Sequence, residues 1–298
     1  MQKKHLLLAV LVTAVWGLNF PVTKLGLADI DPLLLTALRF ALAALPWVFF
    51  VERPRVAFRW LAAYGLIFGV AMWALINQGI AWGVPPGTAS LLIQCSAFFT
   101  LGWGVLFFGE RLGRAQWIAS LLAAVGLVGF VLSSSGNASR AGLLLVIGSA
   151  MAWSIGNVII KVSKVREIFA FVVWASLFPP IPLLLLTWGM HGSAPFIALP
   201  SQLNAMTLLS LAFQVYAATH FSYWGWNLLL REYPISRVAP LSLMIPVFGI
   251  FSSMVILRQY PSTADWGLIL LVLLAIVLGS GSLEVLVLRY RARRLEQS

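Results

Sequence analysis

Apolar residues in this chain come in runs long enough to cross a bilayer, separated by short polar elbows. A spanning helix needs about 20 mostly apolar residues. Ten stretches reach that length: 5–23, 32–51, 60–82, 87–108, 115–133, 141–160, 168–188, 205–230, 236–257 and 265–288. The connections are short except between Gly189 and Asn204, where Pro195 and Pro200 predict an ordered external loop. Inside the eighth run, Phe213, Tyr216, His220, Tyr223 and Asn227 recur at spacings of three and four, which predicts one polar-aromatic stripe along a helix. Lys3-Lys4 and the run behind them resemble a secretory signal, but no small-x-small cleavage pattern follows, so a retained first helix is expected.

The runs are organised by an internal repeat. At one common offset, Pro85 falls on Pro234, Glu110 on Gln259 and Gln116-Trp117 on Asp265-Trp266. Trp16 and Lys24 are spaced as Trp153 and Lys161 are, with Asn19 and Asn157 between them. Two related halves, 1–135 and 136–298, would carry five helices each. An odd number makes the second half enter the membrane from the opposite side, so the repeat is inverted, as in many transporters.

Composition and charge agree. The chain of 298 residues is 61% hydrophobic and 10% charged, against about 25% charged in a soluble domain, so the bilayer must be its solvent. The net charge of +11 would suggest nucleic acid in a soluble protein, but here the cations sit between apolar runs. With both termini inside, sixteen of the 20 Lys and Arg residues are cytoplasmic, including Lys3, Lys4, Arg55, Lys164 and the C-terminal Arg cluster. Lys24, Arg140 and Arg258 fall outside, and Arg39 lies within the second run. An odd helix count would have put the Arg cluster outside. The single Cys95 excludes an intrachain disulfide.

Polar groups within a membrane face a cavity or another helix. The stripe in the eighth run would suit a wet cavity, its aromatic bodies stacking on a ligand and its polar tips bonding to it; interhelical hydrogen bonding is the plainer role. Further candidate lining residues are Trp16, Asn19, Trp73, Gln78, Gln94, Trp153 and Asn157. Trp60 and Trp117 lie near cytoplasmic ends and read as interfacial anchors. Arg39 has two readings: a structural side chain that snorkels or ties helix ends, or a fixed charge near the external mouth that attracts a carboxylate. Pro21, Pro240 and Pro246 interrupt backbone bonding and are candidate hinges for alternating access; Gly102 and Gly104 are candidate moving points in the fourth run.

No acidic residue falls near a bilayer midplane, so a carboxylate proton relay has no support. There is no GxxxxGK[ST] motif for ATP, no cluster with metal-ligand spacing and no implied cofactor. The expected partners are a small-molecule substrate and the lipid bilayer, not nucleic acid, and one chain could enclose a path as a monomer.

The residues also resemble a known family. AVWGLNFPVTKLGL at 14–27, LRFALAALP at 38–46, GERL at 109–112 and RVAPLSLMIPVFGI at 237–250 are similar to the EamA-type, ten-helix branch of the drug/metabolite transporter superfamily. The resemblance covers nearly the whole chain, once per half. It departs at Leu257-Arg258-Gln259-Tyr260, where the second half usually repeats the Gly-Glu elbow. It implies an all-α polytopic inner-membrane exporter of amino acids or related metabolites, working by alternating access. Rival readings are a multidrug or nucleotide-sugar carrier of the same fold, an intramembrane lipid enzyme, and a structural scaffold. The first two would want cavity carboxylates or several cavity cations, and the enzyme would want a catalytic constellation.

Overall fold

The computed structural model describes residues 1–109, 113–133, 139–233, 241–242 and 244–279. Among them there are helices and no strands: α1 Lys3–Gly26, α2 Pro32–Ala44, α3 Phe58–Ala81, α4 Pro86–Phe107, α5 Arg114–Ser133 and α6 Arg140–Ser163. Then come α7, in the two pieces Ile168–Ala175 and Pro180–His191, α8 over 205–232, α9 Met244–Leu257 and α10 Thr263–Gly279. Six spans are long and apolar enough to cross a membrane: α1, α2 with the turn that follows it, α3, α4, α6 and α7. The chain is therefore a multi-pass membrane protein. Its outer surface agrees, because Leu106, Phe107, Ile181 and Leu185 are each largely exposed, and a water-soluble monomer rarely shows so much contiguous apolar surface.

Local chemistry sets where the helices start and stop. Asp31 accepts from the amides of Leu33 and Leu34, both at 3.0 Å, ahead of Pro32 at the first helical position of α2. Ser139 caps α6 through the Gly142 amide, and Asn204 caps α8 through Met206 and Thr207. Each such cap contributes about 1 kcal/mol. Gly109, at φ +64°, ends α4 in the left-handed conformation that glycine adopts without a Cβ clash.

Four interruptions change the picture drawn from apolar length. The second run is not one helix over 32–51: Pro46 follows an extended Leu45, and a single 3-10 turn, Trp47–Phe49, completes it. The α7 rod is broken ahead of Pro179 and Pro180. Wider π-type turns occupy Gly65–Ala74 in α3 and Phe213–Phe221 in α8. The stretch expected as a loop between Gly189 and Asn204 contains a short helix, Ala194–Gln202, bent 99° from the rod that follows. Pro195 fits in its first turn, where the proline ring costs no intrahelical hydrogen bond.

Packing pairs α1 with α9 and α4 with α6; α1 with α8 and α3 with α6; α2 with α8 and α3 with α7. It also pairs α2 with α7, α4 with α9 and α5 with α10. Exchanging each helix for the one five positions away maps these pairs onto one another, whereas α1 also packs on α4 and α5 on α6 with no comparable counterpart among the described residues. Small residues permit the closest approaches. A Cβ on Gly17 would strike Phe248 and Gly249 of α9, and one on Gly65 or Gly69 would strike Ala175 or Pro179 at the α7 break. The Gly17 carbonyl is also the one that Pro21, four residues on, leaves without its helical donor.

End-to-end contacts sort the connections into two faces. Lys24 donates to the Ile80 carbonyl at 3.0 Å, Ser139 N to the Trp82 carbonyl, and Asn204 to Asp29, while His191 and Asp31 pair at 2.8 Å. At the other face, His5 and Gln2 meet the Tyr233 hydroxyl, and the Trp174 indole donates to the Val51 carbonyl.

Candidate functional site

The polar and aromatic groups that converge most densely lie where α1, α2, α3 and α8 meet. From α2, the Arg39 side chain is only 2% exposed. Its guanidinium carbon sits 3.7 Å from the centroid of the Trp73 ring, and Nη2 donates to Thr219 Oγ1 at 3.2 Å. From α1, the Trp16 indole donates to the Ala218 carbonyl at 2.9 Å, and its ring meets Tyr223 edge-on at 5.7 Å. Tyr223 in turn meets Phe68, which meets Trp73, and its phenol lies within electrostatic reach of Arg39. His220, beside Thr219, bonds through Nε2 with the Ala43 carbonyl at 3.0 Å and packs against Trp47 at 4.8 Å and Phe169 at 5.9 Å.

Several polar atoms here are buried without a partner: Arg39 Nε and Nη1, Trp73 Nε1, Trp47 Nε1 and His220 Nδ1, with Asn19 Oδ1 and Asn77 Oδ1 on the same helices. Buried polar atoms are normally satisfied, so a local excess of unsatisfied ones marks a place where water or a ligand completes the bonding. The junction groups a buried cation and unpartnered N–H donors with aromatic rings, the chemistry that binds a carboxylate and an apolar side chain.

The expected lining residues divide accordingly. Trp16, Trp73 and Tyr223 are brought together around Phe68, with Asn19 buried one turn along α1 from Trp16, while His220 meets Ala43, Trp47 and Phe169 instead. Gln94 instead donates to the Ser242 carbonyl at 3.2 Å, and Asn157 donates to Thr100 Oγ1 at 3.3 Å between α6 and α4. Trp153 packs half-buried against the main core, and Gln78 is half-buried in α3. Tyr216 is 55% exposed although its ring is 6.0 Å from His220. The stripe in α8 is thus not one straight α-helical face: π-type turns bond five residues apart, so a repeat of three and four drifts around the rod. The side chain of Asn227 and all of Pro240 lie outside the described residues.

Arg39, for which the sequence left a structural side chain and a charge near the external mouth both open, meets Trp73 and Thr219 away from the ends of α3 and α8. Pro246 lies in the described part of the ninth run, Met244–Leu257; residues 234–240 and 243 ahead of it lie outside the described residues. Thr219 and Trp47 had no signal in the sequence: a threonine beside a histidine and a tryptophan after a proline are unremarkable until the helices are packed. A cavity of about 60 Å³ also exists, between the start of α4 and the α9–α10 connection, lined by Thr88, Ser253, Gln259, Tyr260 and Asp265 among others. None of the candidate lining residues borders it.

The model of the EamA-like transporter family matches this sequence twice, over residues 3–132 and 140–281. Relatives in Salmonella typhimurium and Escherichia coli, each named "Probable amino-acid metabolite efflux pump", are 38% identical over 265 residues, covering 87% of this chain and 89% of theirs. A "Probable terminal-alkyne amino-acid exporter" of Streptantibioticus cattleyicolor is 29% identical over 250 residues, covering 80% of each chain. A solved crystal structure aligns over 99% of this chain and all of its own with a TM-score of 0.60 at 20% identity, a likeness of fold.

Proposed function

This chain belongs to the EamA-like transporter family, and on that premise we propose that it exports amino acids, with a preference for neutral and aromatic ones, across a bacterial inner membrane. The family and the named relatives are transporters and efflux pumps, not enzymes. The observation that carries the substrate class is the 38% identity, over most of both chains, to proteins named for amino-acid metabolite efflux. The preference for neutral and aromatic side chains rests on the tryptophan and tyrosine rings around Trp16, Trp73 and Tyr223.

In this reading ten helices span the membrane as two inverted five-helix repeats, 1–135 and 136–298, with both termini cytoplasmic. The self-mapping of the helix pairs and the sorting of connections into two faces support it. The substrate binds where α1, α2, α3 and α8 meet, and the halves rock about it, with Pro21 as the interior proline that lets α1 bend. A carrier of organic cations would want a carboxylate in the same place. The described acidic residues all sit in loops or at helix ends.

Uptake of radiolabelled amino acids into liposomes holding the purified protein tests this, with His220→Ala beside the wild type. Saturable uptake of neutral or aromatic amino acids is expected. The variant loses the buried, unpartnered Nδ1, and if that atom bonds the substrate the apparent affinity falls about fivefold, the equivalent of roughly 1 kcal/mol. A folded wild-type protein that moves no amino acid would redirect the reading to another metabolite.

A further inference from the structure

We propose that Arg39 is the anchor for the carboxylate of the transported amino acid; the inference deepens the export reading above and rests on it. Three observations combine. The guanidinium is almost wholly buried near the middle of the helices around it, and no described Asp or Glu contacts it. One nitrogen is held by Thr219 and one face lies on Trp73, which fixes the plane of the group. The other two nitrogens, Nε and Nη1, have no acceptor, and between them they carry three of the five N–H donors of a guanidinium.

Neither structural role of an intramembrane arginine fits this geometry. Snorkelling would carry the head toward a membrane face, whereas it is turned inward onto Trp73 and Thr219. Tying helix ends together would use the donors on terminal carbonyls, and the described bond goes to a hydroxyl in mid-helix. A carboxylate answers both deficits at once. It supplies an acceptor oxygen for Nε or Nη1, the second oxygen reaching the remaining proton of Nη2, and the negative charge that a buried cation lacks. The Trp73 ring meanwhile holds the guanidinium when the ligand is gone, because a desolvated cation over an indole is itself favourable. The anchor therefore selects ligands carrying a free carboxylate, and the neighbouring aromatic residues select what is attached to it.

The test compares L-phenylalanine with L-phenylalaninamide as competitors of amino-acid uptake by the full-length protein in liposomes. At a pH of about 6 both amines are protonated, so only the carboxylate differs. The acid is expected to compete at least tenfold better than the amide in the wild type. In Arg39→Lys the preference survives with weaker binding, and in Arg39→Gln the acid loses at least tenfold and the preference disappears. An amide that competes as well as the acid in the wild type would overturn the proposal; this arm needs no variant to fold. So would a monodisperse Arg39→Gln protein that keeps the acid preference. If the wild type takes up no amino acid, the export reading fails separately, and thermal stabilisation by phenylacetate against phenylacetamide decides the anchor. Stabilisation by the acid only, lost in Arg39→Gln, upholds it. Equal effects, or none, reject it.

Discussion

Asn77 in α3 donates Nδ2 to Thr36 Oγ1 of α2 at 2.9 Å, and both side chains are fully out of solvent. The Thr36 hydroxyl itself donates to the Pro32 carbonyl at 2.6 Å, so its oxygen is oriented to accept. In lipid, interhelical bonds of this kind average about 0.6 kcal/mol and reach about 1.7 kcal/mol, since the separated helices find other partners. A double-mutant cycle of Asn77→Ala and Thr36→Val, followed by unfolding in mixed micelles, should give a coupling of about 0.6 kcal/mol or more. A coupling of zero would mean that the two side chains do not bond. Asn77 is visible in the sequence as a polar residue within an apolar run. Its partner is not, because a threonine near the start of a helix is ordinary.

At the scale of elements, helix approach is controlled by where glycine stands. Gly69 of α3 faces the Pro179 ring so closely that any Cβ would overlap it, whereas Gly102 of α4 has nothing within 4 Å of a Cβ position. Gly69→Val is expected to destabilise the protein by about 1–3 kcal/mol, the usual cost of overpacking. Gly102→Ala should be neutral or stabilise by up to about 1 kcal/mol through helix propensity. Thermal unfolding in detergent would read both, and a Gly102→Ala loss as large as that of Gly69→Val would show that α4 has an unseen neighbour there. Both glycines look alike in the sequence. The same scale explains why the α8 stripe is not one face: the direction of each residue depends on π-type turns that no spacing rule anticipates.

For the whole molecule, the prediction concerns sidedness. The connections near Ser193 and Ser262 belong to the face that includes Asp31 and Lys24, and Arg55 to the face that includes Val51. Cys95 is buried, so a Cys95→Ser background with single cysteines at Ser193, Ser262 or Arg55 can be labelled with a membrane-impermeant maleimide. In cells with the outer membrane opened, Ser193→Cys and Ser262→Cys should label and Arg55→Cys should label only after lysis. Labelling of Arg55→Cys in intact cells would invert the topology, and equal labelling of all three would reject the two-face arrangement.

What the sequence determined by itself was everything set by solvent and by local chain length: membrane residence from apolar runs and scarce charge, polar residues that had to turn inward, and a repeat linking two family-model matches. These follow from a one-dimensional pattern because the bilayer enforces the same demand on every run. Only the tertiary structure decided which of those polar residues meet. Trp16, Trp73 and Tyr223 converge on one junction, while Gln94 and Asn157 bond elsewhere. Arg39, which the sequence left between two roles, lies against Trp73 and Thr219 with two of its nitrogens unpartnered. The physical reason is that direction around a helix depends on kinks, π-type turns and the distance of closest approach. Those are settled by the neighbouring helix and not by the residue's own segment.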